Sequence, residues 1–329
     1  MNQHQLDREK GRALHRFAVL TACATFGLIF VGGLVTSTGS ALAVPDWPLA
    51  FGKLFPTWEG GVRFEFGHRL AAGTVVILTL MLMAWAWRAE PRRWVRQLVF
   101  IAFGLIIVQA ILGGITVLLE LPLAIAVAHA ATAQALFCLM VSIAIFTNPR
   151  WETASTIDDA PARIALPTLA AATTIVIYAQ ILIGAVMRHM SAGLVIPDFP
   201  LSFGQLVPPF FNEYIAINFA HRCGAIVVTA MVLWTVARVL TTHRKVASLR
   251  RPALGLFILL VLQICLGAMT IWSGRNVLVT TSHVAIGAAV LATSLALTLR
   301  AYHVLGVPHR AGAIESHAEP RRVVERVTA

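Results

Sequence analysis

The sequence predicts an all-α integral membrane protein with eight transmembrane helices, arranged as two pseudo-symmetric four-helix bundles. Three observations predict this fold: the composition, the number of long apolar segments and an internal repeat. Of the 329 residues, 58% are hydrophobic and only 12% are charged, against about 25% charged residues in a soluble domain. A soluble fold of this size cannot bury so much apolar surface, and disordered chains are rich in charge, so both classes are excluded.

Eight segments are apolar and long enough to cross a bilayer as helices, since one span takes about 20 residues. Lys and Arg residues are concentrated in alternate connections: of the 26 in the chain, 20 lie on the side of the two termini. The positive-inside rule therefore predicts that both termini are cytoplasmic. Because topology explains the net charge of +11, we expect no nucleic-acid partner. The predicted spans are 17–37, 64–87, 97–119, 121–146, 164–187, 214–237, 252–273 and 277–299.

The two halves of the chain repeat each other. Segment 45–56 (PDWPLAFGKLFP) matches segment 197–208 (PDFPLSFGQLVP), and the motif Q-x-x-L-G-x-x-T begins at both Gln109 and Gln263. Each half has four spans, and an even number returns the chain to its starting side, so the repeats are parallel. The predicted divisions are a cytoplasmic N-terminus (1–16), an N-terminal four-helix half (17–147), a cytoplasmic linker (148–163), a C-terminal four-helix half (164–300) and a flexible cytoplasmic tail (301–329).

Four histidines lie inside the predicted spans, two in each half and on corresponding helices. A single membrane histidine is usually a packing residue, but matched pairs of costly imidazoles favour a functional role. Two imidazoles at similar depth on facing helices can hold one iron between them. Zinc needs three or four ligands, whereas haem needs two axial ligands, so the pairs favour haem sites toward the outer face. The histidines are His68, His129, His221 and His283.

Arginines and glycines near these histidines are further candidates. Arg69 and Arg222 directly follow two of them, and Arg188 follows the fifth span with His189 beside it. A guanidinium can pair with a haem propionate, and the alternative is an interfacial anchor. Glycines allow a flat ring to approach a helix or allow helices to pack. The candidate glycines are Gly67, Gly73, Gly113, Gly114, Gly267 and Gly287.

The two halves differ beside the first histidine of each pair. Glu65 lies three residues before His68, on the same helix face, and its counterpart in the second half is Asn218. A carboxylate can transfer protons, whereas an amide cannot. The difference suggests chemistry in the N-terminal half and a stable redox haem in the C-terminal half. The alternative is a solvated carboxylate that pairs with Arg69.

These residues resemble the haem A synthase family of bacterial CtaA type. The resemblance covers about residues 15–300 and rests on the eight spans, the Glu65-Phe66-Gly67-His68-Arg69 motif, the three further membrane histidines and the first outer loop, about residues 38–63, with its sequences Thr38-Gly39-Ser40 and Pro45-Asp46-Trp47-Pro48. It implies an oxidoreductase that converts the C8 methyl of haem O to a formyl group, which gives haem A for terminal oxidases. It also implies that His221 and His283 bind the iron of a haem b cofactor. In the other half, His68 and His129 would bind the iron of the substrate haem O and Glu65 would be catalytic.

The resemblance also implies a setting and partners. The protein would lie in the cell inner membrane among lipids, with haem O as substrate and an electron donor that the sequence does not identify. Passing an insoluble haem between enzymes favours a complex with haem O synthase and oxidase assembly factors, and a homo-oligomer is compatible with the sequence.

The chain departs from the family pattern at two places. Many members have a cysteine pair in the first outer loop, but residues 24–137 contain no cysteine and Val44 stands at one expected position. Thr36 stands where the second half has Arg188. The first rival function is a dihaem b-type electron-transfer cytochrome, quinol-linked, which gives Glu65 no role. The second is a transporter, although its polar residues would be expected near the membrane midplane.

Overall fold

The computed structural model describes residues 3–151, 157, 159 and 163–306. In that part of the chain, eight helices are long and apolar enough to cross a membrane, which confirms the predicted fold class. A 3₁₀ turn, Ala192–Leu194, follows the fifth helix. The helices are α1 (Gln3–Ser37), α2 (Val62–Ala89), α3 (Arg93–Leu118), α4 (Leu123–Phe146), α5 (Leu166–His189), α6 (Glu213–Thr242), α7 (Ala247–Trp272) and α8 (Val277–Leu305).

Several helices extend beyond the predicted spans on the side of the termini. Helix α1 begins at Gln3 rather than at 17, and α8 continues to Leu305, into the segment expected to be a flexible tail. Hydropathy detects only the part of a helix that suits lipid, whereas Leu, Arg, Glu and Lys continue a helix readily into water. The end of α8 is also packed, since Ala301 and Val304 are buried. The rest of the predicted tail, 307–329, lies outside the described residues.

Each half is a ring of four helices. Helix α1 contacts α2 and α4, and α3 contacts the same two helices; α5 to α8 repeat this pattern. A separate apolar core fills each ring: Leu82 and Met140 lie in the first core, and Val232 and Leu256 in the second. The halves meet through α1 with α8, α4 with α5, and α4 with α8. Helix α8 is the most enclosed span, with 56% of its most apolar stretch buried against 17–33% elsewhere.

Two long loops, 38–61 between α1 and α2 and 190–212 between α5 and α6, are called the outer loops after their predicted side of the membrane. Each is built around an equivalent aspartate. Asp46 accepts hydrogen bonds from the backbone N–H groups of Phe51 (2.6 Å) and Gly52 (2.8 Å). Asp198 accepts the corresponding bonds at 2.7 and 2.8 Å in the second half. Gly52 has a φ of +69°, which glycine adopts without strain. The donated backbone bonds hold the pKa of each carboxyl below its ordinary value.

Candidate functional site

Each of the four predicted histidines packs against a glycine on the preceding helix. A Cβ atom built on any of these glycines would lie 2.9–3.1 Å from the Cε1 atom of the imidazole, which is closer than ordinary contact. The ring therefore occupies the space that a side chain would fill, and the same arrangement occurs four times. The pairs are Gly32 with His68, Gly113 with His129, Gly184 with His221, and Gly267 with His283.

Only two of the six glycines singled out in the sequence contact a site histidine, namely Gly113 and Gly267. Gly114 lies under the ring of Trp47, and Gly287 lies against Gln263. Gly73 has no neighbour within 4 Å of a built Cβ. Sequence reasoning missed Gly32 and Gly184, although both stand at equivalent positions of the repeat, 152 residues apart. That spacing was the signal that could have identified them.

Three of the imidazoles have a buried nitrogen that lacks a hydrogen bond of normal geometry in the described part of the chain. These nitrogens are the Nδ1 atoms of His68, His129 and His283. An unpaired polar atom in an apolar interior is costly. Each pair of rings is thus suited to bind a further group that interacts with imidazole.

Three glutamines contact the histidines. The Gln109 carboxamide nitrogen donates to the His129 backbone carbonyl (3.0 Å) and lies 3.3 Å from its Nε2 atom. Gln180 donates to the His221 carbonyl (2.7 Å) and contacts its Nδ1 atom at 3.0 Å. Gln263 contacts the Nε2 atom of His283 at 3.4 Å. Sequence reasoning placed Gln109 and Gln263 in a repeated motif without a role and missed Gln180.

Glu65 lies buried beneath the first outer loop, with 4% of its surface exposed. Its Oε1 atom accepts a 2.6 Å bond from Arg69, and its Oε2 atom accepts a 2.8 Å bond from the backbone N–H of Val44. The expected ion pair with Arg69 is therefore present, but the carboxylate is not the solvated one of that alternative. Both oxygens are held in fixed positions one helical turn from His68.

Asn218 has the same surroundings in the second half. Its Oδ1 atom accepts a 2.9 Å bond from Arg222, and its Nδ2 atom donates a 2.8 Å bond to the Ala192 carbonyl. The amide therefore replaces the carboxylate without changing which elements are joined. The two positions differ in charge, in proton affinity and in the loop backbone group that each side chain contacts.

Arg69 and Arg222 hold the two outer loops on their helices. Arg69 donates to the carbonyls of Val44, Asp46 and Leu49 at 2.7–3.1 Å. Arg222 donates to three carbonyls of the second loop at 2.7–2.9 Å. Most of their donors are thus committed to loop backbone, an arrangement that favours the anchoring alternative. Their contact with a propionate stays a prediction.

Arg188 joins the two halves. Its Nη2 atom donates to the Gly33 carbonyl (2.9 Å) and to the Ser37 Oγ atom (2.8 Å), both on α1. Its Nε donor is buried without a partner in the described residues. Arg188 therefore retains a donor that could bind a propionate. Thr36, its counterpart, instead donates to the Gly32 carbonyl of its own helix.

The described residues fit haem better than a metal held by protein side chains alone. Among them no group of three or more His, Cys, Asp or Glu side chains is placed to hold a metal ion, whereas each half offers two imidazoles, the number that haem uses. Each imidazole packs against a glycine of the preceding helix, between the two helices. Fold and site together define a class: a helical membrane protein of two similar four-helix halves, each with one pair of partly buried histidines.

The comparisons with known proteins identify the family. The COX15-CtaA model, described as cytochrome oxidase assembly protein, matches residues 62–295. The chain belongs to this family, which confirms the resemblance seen in the sequence.

Curated relatives over most of the chain are named heme A synthase. The relative from Shouchella clausii is 31% identical over 254 residues, which is 72% of this chain and 83% of that protein. Those from Symbiobacterium thermophilum and Staphylococcus saprophyticus are each 28% identical, over 78% and 80% of this chain and over 85% and 88% of those proteins.

Proposed function

We propose that this protein is a haem A synthase, which oxidises the C8 methyl of haem O to a formyl group. Membership of the COX15-CtaA family and the relatives named heme A synthase support this activity. The observation that carries it is an asymmetry between equivalent sites. Both halves have a pair of partly buried histidines. In the described residues, only the N-terminal half has a buried carboxylate, Glu65, on the helix that carries the first histidine of its pair.

The C-terminal half would hold the resident cofactor, haem b, between His221 and His283. A bound haem supplies one-electron transfer. The glutamines on both histidines and the neutral Asn218 suit a site that keeps its haem. The N-terminal half would hold the substrate haem O between His68 and His129, and the long tail of haem O would lie in lipid or between helices.

Glu65 would act on the protons of the reacting methyl group. Conversion of the methyl to a formyl group would take two successive two-electron oxidations, first to the alcohol and then to the hydrated aldehyde, which loses water. With water as the source of each added oxygen atom, each oxidation would release two protons and two electrons, and the electrons would pass to the haem of the C-terminal half and on to an external acceptor. A carboxylate within the site can accept protons that these steps release. Arg69 and the Val44 N–H hold the carboxylate in place, so that it meets the substrate without reorganisation.

The proposed orientation places both termini in the cytoplasm and the haem sites toward the outer face. The distribution of Lys and Arg residues supports it. Haem O would come from haem O synthase, and haem A would pass to oxidase assembly factors. A direct complex would keep the insoluble product out of water.

A dihaem electron-transfer cytochrome is not favoured. It would account for the four histidines, but the curated relatives carry the name heme A synthase. It also gives no reason for a buried carboxylate in one half and an amide in the other.

The function can be tested by haem extraction and chromatography. The protein is purified from cells that produce haem O. We expect haem A or its alcohol precursor alongside haem B from the wild-type protein. Glu65→Gln should retain two haems per chain but yield haem O and haem B only. In the matched variant Glu65→Gln/Asn218→Asp, a carboxylate in the second half should not restore haem A. Haem B alone, near two per chain in the wild type, would favour the cytochrome.

A further inference from the structure

We propose that Gln109, Gln180 and Gln263 are positioning residues that hold three of the four histidines, and that Leu28 leaves the fourth, His68, free to turn away from iron. This inference rests on the proposed binding of haem by the histidine pairs. It assigns unequal roles to the two histidines of the N-terminal site.

The position of Leu28 follows from the repeat. In α3, α5 and α7, a glutamine stands four residues before the glycine that backs a histidine: Gln109 before Gly113, Gln180 before Gly184, and Gln263 before Gly267. In α1, the residue four before Gly32 is Leu28. Gly32 and Gly184 are 152 residues apart, as are Leu28 and Gln180. Leu28 thus stands at the glutamine position of the first histidine.

In this structure each glutamine presents its amide nitrogen, a donor, to a ring nitrogen that carries no proton. If iron bound the other ring nitrogen, the carboxamide would turn and offer its oxygen as the acceptor. The amide nitrogen contacts the ring nitrogen at 3.0–3.4 Å, and in two cases it also donates to the backbone carbonyl of the same histidine. The Oε1 atoms of all three glutamines are buried without a partner among the described residues. An iron-bound imidazole carries a proton on its second nitrogen and needs an acceptor nearby, and partners of this kind fix the ring orientation of metal ligands.

Leu28 provides neither a donor nor an acceptor. It packs against the apolar core of the first half. Within the described part of the chain, the His68 side chain makes no hydrogen bond, and its Nδ1 atom is buried without a partner. Gly32 packs against one side of the His68 imidazole and offers no side chain to hold it. His68 is therefore the one site histidine whose ring no polar side chain holds.

The arrangement gives each half the restraint that its proposed role requires. Iron with two histidine ligands has no vacant position. Between His221 and His283, glutamines hold both rings, which suits a permanent cofactor. Between His68 and His129, only His129 is held, so release of His68, which shares a helix face with Glu65, would open a ligand position on the iron. The same release would let a substrate enter and a product leave.

Carbon monoxide binding tests this inference, because the gas binds ferrous haem only where a ligand position opens. Purified, dithionite-reduced wild-type protein should bind carbon monoxide at one haem per chain. Leu28→Gln should lower the bound fraction or the binding rate about tenfold, the size of effect that one buried hydrogen bond has on an equilibrium. Leu28→Met, a control that changes shape without adding an amide, should behave like the wild type.

Gln180→Leu is an independent variant in the other half. It should free His221 and add a second haem that binds carbon monoxide. Haem content per chain, measured on every variant, identifies any loss of fold.

Unchanged binding in a haem-replete Leu28→Gln protein, or no second reactive haem in Gln180→Leu, would overturn the inference. A preparation that lacks haem altogether would overturn it as well. Oxidation of haem O is measured separately by haem extraction. If the wild-type protein and the variants bind carbon monoxide as expected but the wild type makes no haem A, the proposed function alone is refuted.

Discussion

Arg188 on α5 donates a 2.8 Å hydrogen bond to the Oγ atom of Ser37 on α1, across the boundary between the two halves. Thr281 on α8 donates to the same oxygen at 2.9 Å. A single hydroxyl therefore joins three helices, one from the N-terminal half and two from the C-terminal half. Because Thr281 precedes His283 by two residues on α8, this junction between the halves adjoins the C-terminal histidine pair.

Removal of the Arg188 charge should lower the reduction potential of a haem bound by His221 and His283. A nearby positive charge favours the reduced state, so Arg188→Gln is expected to make that haem harder to reduce. Arg188→Lys retains the charge and is the matched control. Spectroelectrochemical titration measures the shift, and equal potentials in Arg188→Gln and the wild type would show that the charge does not reach the haem.

Replacement of a glycine that packs against a site histidine by alanine should weaken haem binding. In Gly184→Ala, the new methyl group would lie 2.9 Å from the His221 ring, and overpacking of this kind costs about 1–3 kcal/mol. Gly104→Ala is the matched control, since nothing lies within 4 Å of that position. Haem content per chain should fall in the first variant only. A similar loss in both variants would point to a general defect in helix packing.

Substitution of Arg222 should release the second outer loop. Arg222→Ala removes the donor of three backbone bonds, and a charge-assisted bond contributes about 1.5–3 kcal/mol. Hydrogen exchange in residues 197–208 should rise sharply, while exchange in 45–56 should not change. If Arg222 chiefly binds a propionate, haem affinity would fall with the loop still protected.

The loop aspartates should make both outer loops sensitive to acid. The pKa values of Asp46 and Asp198 are lowered by backbone hydrogen bonds, so their stabilisation is complete above the ordinary value of 3.8 and is lost as the pH falls through the lower, folded value. Hydrogen exchange in 45–56 should therefore accelerate below about pH 4. Asp46→Asn should show faster exchange at neutral pH and lose that pH dependence, and retained dependence would assign it to another group.

Spans, histidines and the Glu65 position could be predicted because each depends on a local property. A long apolar segment predicts a helix because unpaired backbone groups are unfavourable in lipid. Matched imidazoles in such segments indicate a function because a histidine is unfavourable in lipid without one. The repeat then placed equivalent residues without knowledge of contacts. For that reason the N-terminal and C-terminal sites could be compared before the helices were seen packed.

Contacts between neighbouring helices could not be predicted in the same way. The glycine behind each histidine depends on how α1 faces α2, and the direction of the Arg69 and Arg222 donors depends on the folded loops. Hydropathy also does not detect the part of a helix that lies outside the lipid, so α1 begins well before the predicted span 17–37. Gln180 lacks the flanking motif shared by Gln109 and Gln263, and its role emerges only from its distance to His221.

The contacts between the halves have a pattern that bears on the ancestry of the chain. Exchange of α1 with α5 and of α4 with α8 converts the α1–α8 contact into the α5–α4 contact and leaves α4–α8 unchanged. This is the pattern of a twofold homodimer, in which one patch meets its own copy. A gene for a single half could therefore have produced a symmetric dimer with two identical sites. Fusion of two copies would then have allowed Leu28 and Glu65 to diverge from Gln180 and Asn218, a division of labour that identical subunits cannot achieve.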